Sequence, residues 1–325
     1  MRRFLLRRAL WMVLTVWAVA TLAFFLMRAV PGGPFSGERR LAPEVEAVVA
    51  ARYHLDWPLW RQYLQFLGPL NLDDHGLLGD SSDVWGGALA GDLGPSFRQR
   101  DYTVNELLAQ SLPISIELGL AALLWAVLLG VPAGVAAALR PRGWLDLALR
   151  GATTLGIVLP NFVIATLLLM LFAFQLGWLP VAGHGSARHL VLPALALGAP
   201  FAAYVARLTR TGTLEALSAE HVFAARAKGL PRWRIVRDHV LPAALLPVAS
   251  YLGPATAGIL TGSLVIERIF AIPGAGTHFV GSALDRDYTL AMGVTLTYTV
   301  FVFVLNTCVD ALYPLLDPRI SLEDL

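Results

Sequence analysis

The chain has 325 residues, of which 56% are hydrophobic and 15% charged, with a mean hydropathy of +0.62; soluble domains average roughly 45–50% apolar and 25% charged residues, so this is an integral membrane protein. A net charge of +2 with no basic domain excludes nucleic acid as an expected partner. One cysteine, Cys308, leaves no disulfide or thiolate cluster within the chain, and the one lysine, Lys228, precedes Gly229 outside any Gly-x4-Gly-Lys-Ser/Thr loop, so a Walker-type ATP site cannot come from here.

Four arginines (Arg2, Arg3, Arg7, Arg8) precede an apolar run from about Ala9 to Met27. Its length is that of a span, and no small-x-small cleavage site stands before Arg28, which predicts a retained helix with the N-terminus in the cytoplasm. From Pro31 to about Pro113 the chain is mostly polar and extracytoplasmic by alternation. It holds turn chemistry in PGGPFSGERR, an amphipathic helical piece over Pro43–His54, and an aromatic segment near Trp57–Phe66. Leu70–Ala90, rich in Asp and Gly without an apolar period, reads as an inserted flexible loop.

The second span is predicted over Ile114–Leu139 and the third over Ala152–Phe174, kinked at Leu159-Pro160-Asn161. Asn161 can line a polar path or make a structural interhelical hydrogen bond. The fourth span, Leu190–Leu208, is expected to be broken by Pro193 and Pro200. The fifth runs over Ala243–Ile266 and the sixth over Leu290–Leu312. Between the last two, the apolar IFAIPGAG segment is too short and turn-rich to cross a bilayer and is expected to dip or pack at the outer mouth. Asn306 and Asp310 share one face of the sixth span. An intramembrane carboxylate costs roughly 2.5–3.5 kcal/mol and is a functional candidate, but near the inner end Asp310 also suits an ion pair or cap.

Positive charge tests this topology. The short segments assigned to the cytoplasm carry fourteen Lys and Arg, against three in the short outer loops, as the positive-inside rule requires. The fold class is therefore an all-α integral membrane protein of about six transmembrane helices with an extracytoplasmic insertion after the first and both termini cytoplasmic.

Thr213–Pro247 is polar and charged between two apolar flanks. Ser218 reads as an N-cap with Glu220 in the first turn, Arg226 and Lys228 suit the last turn, Gly229 supplies a left-handed stop, and Pro231 fits the first turn of a second short helix. Ala219, Phe223, Ala227 and Leu230 fall on one stripe. Such a helix can lie on lipid, but its small residues and single aromatic suit a protein pocket, where full burial of a Phe is worth roughly 1.5–3 kcal/mol.

The same stretch resembles the EAA loop of bacterial ABC importer permeases: Glu-Ala-Ala, three residues, Gly, nine residues, Ile, one residue, Leu-Pro. Ala224, Ala225, Gly229, Leu241 and Pro242 match in register, while Phe223 stands in place of Glu and His239 in place of Ile. ARAKGL at Ala225–Leu230, GDLGPSFRQRDYTVNEL at Gly91–Leu107 and VDALYPLLDPRI at Val309–Ile320 extend the resemblance to the first permease subunit of oligopeptide importers. So do Glu267, Phe270, Pro273, Gly274, Gly276 and Arg286-Asp287-Tyr288.

The resemblance implies a type I ABC importer permease (MetI-like) fold in the bacterial inner membrane. Residues 1–112 would form the first helix and the extracytoplasmic region, and 113–325 a five-helix core with its coupling loop at 213–247. It implies a second permease, two cytoplasmic ATPases holding ATP and magnesium, and an extracytoplasmic peptide-binding protein, with lipid around the spans and no cofactor or metal in this chain. Glu220, Phe223, Ala224, Ala225, Arg226, Lys228, Gly229, Leu241 and Pro242 are the expected ATPase-coupling residues. Asn161, Glu267, Phe270, Pro273, Gly274, Asp287 and Asn306 are the candidates for the translocation path or outer gate. Oligopeptides are the expected cargo, with dipeptides, glutathione or nickel complexes as alternatives.

Two other classes are weaker. A self-sufficient secondary transporter should show intramembrane charges or paired broken helices, which the spans do not evidently carry. A membrane enzyme should show HExxH, GxSxG or paired intramembrane aspartates, and none appears; the seven histidines include no metal-spaced pair in one helix.

Overall fold

The computed structural model describes residues 2–29, 51, 54–68, 87–99 and 101–316. Most of the expected helical piece Pro43–His54 and of the insert Leu70–Ala90 lies outside them. The helices are α1 (Arg2–Ala29), α2 (Leu59–Leu67), α3 (Val104–Leu139), α4 (Trp144–Val158), α5 (Asn161–Leu168), α6 (Ala187–Leu217), α7 (Glu220–Ala227), α8 (Leu241–Ile269), α9 (Ala275–Asp285) and α10 (Tyr288–Leu316). Among the described residues β pairing is limited to one bridge between Pro95 and Thr103. The fold is all-α.

Among the described residues, five helical segments are long and apolar enough to cross a bilayer: Phe4–Ala29, Val104–Leu139, Ala187–Leu217, Arg232–Ile259 and Tyr288–Cys308. The expected third span is different. Instead of one kinked helix it is α4 and the α5 stretch to Gln175, bent by 113°. Pro160 disfavours helical backbone at Leu159, which is extended at ψ 129°, so α4 stops there and a new helix starts at Asn161. Beyond Leu168 the helix widens into π-type turns over Leu169–Gln175.

The expected break in the fourth span is also corrected. Pro193 and Pro200 lie inside an uninterrupted α6 that runs nine residues past Leu208, since neighbouring helices can satisfy the carbonyls that proline leaves free. The fifth span likewise begins earlier than expected: the turn Arg232–Arg234 passes through π-type turns at Ile235–Val240 directly into α8.

The chain forms two compact units, one of Met1–Leu5, Ile114–Pro273 and Val302–Leu325, the other of Leu6–Pro113 and Gly274–Phe301. The first has its core at Leu118, Leu192, Leu197, Ile259, Ile266 and Phe270, interleaved with alanines. Small residues let its helices touch backbone to backbone. A Cβ on Gly134 would stand 2.5 Å from the Ala206 carbonyl oxygen, and one on Gly212 would stand 2.8 Å from that of Ala244. Between apolar helices in lipid, such close van der Waals contact replaces the hydrophobic drive that water would supply.

In the second unit, Phe24 of α1 packs on Tyr63 and Phe66 of α2, and the Arg28 guanidinium lies 3.7 Å over the Phe24 ring while donating to Gln62. Much of the rest of α1 is exposed, including Leu10, Trp11, Val13, Trp17 and Leu22. That suits a helix solvated by lipid.

Candidate functional site

The loop after α6 is built on a small apolar root. Val222 and Ala225 of α7 are buried together with Ala216 of α6 and with Ile235 and Val240 of the π-type stretch, and Leu217 and Leu230 pack around them. The spacing of three places Val222 and Ala225 on one side of the helix. The His221 ring nitrogen donates to the His239 carbonyl at 3.2 Å, and the Arg232 guanidinium donates to the Leu139 carbonyl at the end of α3 at 3.1 Å. Thus α7 is strapped to its own chain at both flanks.

The N-terminal cap is not where the sequence suggested. Ser218 closes α6, its hydroxyl donating to the Leu214 carbonyl, and Ala219 takes the cap position of α7 without a side-chain bond. A capping residue has extended backbone, and Ser218 is still helical at φ −91° and ψ −3°, whereas Ala219 is extended at ψ 146°. Pro231 sits one residue ahead of the next helical turn rather than inside it.

The C-terminal stop has the predicted form. Gly229 has φ +75°, its N–H reaches the Arg226 carbonyl, and the Leu230 N–H reaches that of Ala225. These are the two bonds of a Schellman motif. Replacing Gly229 by Val forces a β-branched residue into the left-handed region, a cost of about 1–2 kcal/mol before branching is counted. Uptake measured in a series at this position is expected to fall in the order Gly, Asn, Ala, Val, with membrane levels unchanged, because nothing lies within 4 Å of the position a Cβ would occupy.

The outward face is the other half of α7. Phe223 is 57% exposed, and Glu220, Ala224, Arg226, Ala227 and Lys228 are exposed around it. The Arg226 guanidinium lies 5.7 Å from the Phe223 ring centre. The expected stripe is therefore split: Phe223 and Ala227 face out, whereas Leu230 turns into the root. Leu241 is half-buried at the start of α8, and Pro242 beside it is exposed.

Sequence reasoning passed over Val222, whose burial is made by Ala216, Ile235 and Val240 from other elements. It also passed over Asp146, the one acid in the arginine-rich segment Arg140–Arg150. Its carboxylate is 1% exposed and takes two bonds from the Arg210 guanidinium, at 2.7 and 2.9 Å, and a third from the Arg142 N–H. Asp146 thereby ties the start of α4 to the last turns of α6, next to the loop.

The outer-gate candidates do not form one cluster within either unit. In the first, Glu267 is fully buried and accepts from the Ser115 hydroxyl at 2.7 Å; buried Phe270 accepts through its carbonyl from the Gly183 N–H; Pro273 is exposed; Asn161 opens α5 and Asn306 lies half-buried in α10. In the second unit, Gly274 caps α9. Asp287, 1% exposed, gathers the Ser96 hydroxyl, the N–H groups of Phe97, Arg98 and Leu290, and the Thr289 hydroxyl. That set of donors fixes the 95–99 loop to the start of α10. Among the described residues no group of three or more His, Cys, Asp or Glu is arranged to hold a metal ion.

Comparison with known proteins agrees with this architecture. A family model described as "Binding-protein-dependent transport system inner membrane component" matches residues 130–322, and one for the N-terminal part of such components matches residues 1–119. The chain is 45% identical over 322 residues to the oligopeptide transport system permease protein OppB of Salmonella typhimurium, covering 98% of this chain and 99% of that one. It is 42% identical to the dipeptide transport system permease protein DppB of Bacillus subtilis, covering 99% of each. Among solved structures, the methionine ABC transporter MetNI in an inward-facing conformation superposes with TM-score 0.55 at 17% identity, over 65% of this chain and 96% of that one. An amino acid ABC transporter does so with TM-score 0.51 at 19% identity, over 66% and 95%.

Proposed function

Because the chain belongs to the family of binding-protein-dependent transport system inner membrane components, we propose that it forms part of the membrane path of an ATP-driven peptide importer and is moved by α7. It is a multi-pass membrane protein of the ABC permease class. Oligopeptides are the proposed cargo, given the 45% identity to an oligopeptide permease; dipeptides are the second reading, given the 42% identity to a dipeptide permease.

The observation that carries the mechanism is the division of α7 into a buried root and an exposed face. A cytosolic ATPase that closes on ATP must push on something stiff. The Val222 and Ala225 root, the Schellman stop at Gly229 and the run of helix from Arg232 into α8 supply stiffness, while Phe223 among small residues offers one anchor. Closure would then reach the spans as a rigid-body displacement. In this reading the chain itself hydrolyses nothing, and ATP and magnesium are held by two ATPase subunits. A second permease completes the path, a peptide-binding protein delivers cargo from outside, and both termini lie in the cytoplasm.

Uptake of labelled peptides into vesicles tests this. Transport should require ATP, the ATPases and the binding protein, and short and long peptides compared there separate the two cargo readings. Uptake by the chain alone without ATP would remove the proposal.

A further inference from the structure

A cavity of about 510 Å³ opens between α3, α4 and α6, lined at one end by Arg150, Arg207 and Arg210 together with Thr153, Thr154 and Thr211. It shares Ala133, Leu149, Thr153 and Ala206 with a second hollow of about 310 Å³, whose wall is apolar and built largely of glycine and alanine up to Leu195, Leu168 and Trp125. A basic mouth therefore runs into an apolar trough.

The charges are only partly used. Asp146 neutralises Arg210 and attracts Arg150 at longer range. Neither the Arg150 nor the Arg207 side chain forms a hydrogen bond or ion pair with another described residue. A guanidinium pair with no hydrogen-bonded anion, above hydrocarbon, calls for an anion with a tail. The trough has the matching length: from Ala206 to Leu195 along α6 is eleven residues, or about 16 Å at 1.5 Å each, close to half of the roughly 30 Å hydrocarbon core. Its mouth lies at the end where α4 begins with Trp144, 79% exposed, and exposed tryptophan is the residue of the membrane–water boundary.

We propose that this cavity binds an anionic phospholipid, its phosphate held by Arg150 and Arg207 and one acyl chain lying in the trough between α3, α4 and α6. Basic pockets between transmembrane helices take anionic head groups in this way. Occupancy would brace the α4–α6 contact beside the loop that carries α7.

The test uses the full chain with the subunits that accompany it, extracted in detergent and examined by native mass spectrometry. Phosphatidylglycerol should be retained at least tenfold over phosphatidylethanolamine of the same chains, while inorganic phosphate and glycerol phosphate should not displace it. Each arginine removed should weaken retention about fivefold, so R150Q/R207Q should erase the preference. A203F, which fills the trough and leaves the charges, should release the lipid as well. A photoreactive group at Thr153 should label lipid. Equal retention of the two lipids by the wild-type protein would overturn the proposal whatever the variants do. So would unchanged retention by folded R150Q/R207Q, displacement by free phosphate, or labelling of a polypeptide instead of lipid.

Discussion

Replacing Phe223 by aspartate is expected to lower ATP-driven uptake by two orders of magnitude while leaving the amount of protein in the membrane unchanged. The ring is 57% exposed, with the Arg226 guanidinium 5.7 Å from its centre, so folding should tolerate the change. Docked, its burial would contribute roughly 1.5–3 kcal/mol, a factor of about 10 to 150 in affinity, and a carboxylate pressed into the same apolar pocket adds a desolvation cost. Leucine should retain much of the activity. Val222→Asp is the control from the other face of the same helix. It places a charge in the root beside Ile235 and Val240 and should reduce accumulation itself. Uptake and copurification of the ATPase, both scaled to membrane level, separate the two effects; normal transport by F223D would refute docking through α7.

Asp146→Ala is expected to have the largest effect on stability. It strands the Arg210 guanidinium, which is 24% exposed, and removes the acceptor of the Arg142 N–H. Breaking a buried pair by taking one partner typically costs 3–5 kcal/mol; the partial exposure of Arg210 argues for about 3. In detergent the Tm should fall by about 5 °C or more, and D146A/R210M should recover part of the loss because no unpaired charge remains. A Tm equal to that of the wild type in D146A would show that the pair bears no strain of folding.

The spans, the position of α7 and the stop at Gly229 were legible because each rests on local chemistry. Apolar length sets a span, and only glycine sits easily at φ +75°. The misreadings share one cause, which is that tertiary neighbours decide what a residue type alone leaves open. Pro160 breaks its span, while Pro193 and Pro200 do not, since α6 runs on with both among its buried or half-buried residues. Ser218 has the chemistry of a cap, but its backbone still belongs to α6 and the extended position falls on Ala219. Phe223 was readable as an aromatic on the exposed face, whereas Val222 needed Ala216, Ile235 and Val240 brought to it from other elements. The Asp146–Arg210 pair spans 64 positions, a separation over which a single sequence carries no signal.

The 113° elbow at Leu159-Pro160 could belong to a hairpin that enters the bilayer and leaves by the same face, or to one fractured traverse. Two bonds decide by parity. Arg232 holds the last carbonyl of α3, and Arg210 holds the first turn of α4, so the far end of α3, the near end of α4 and the far end of α6 share one face. Since α6 crosses, its beginning is on the opposite face, and only a crossing by α4 and α5 can carry the chain there.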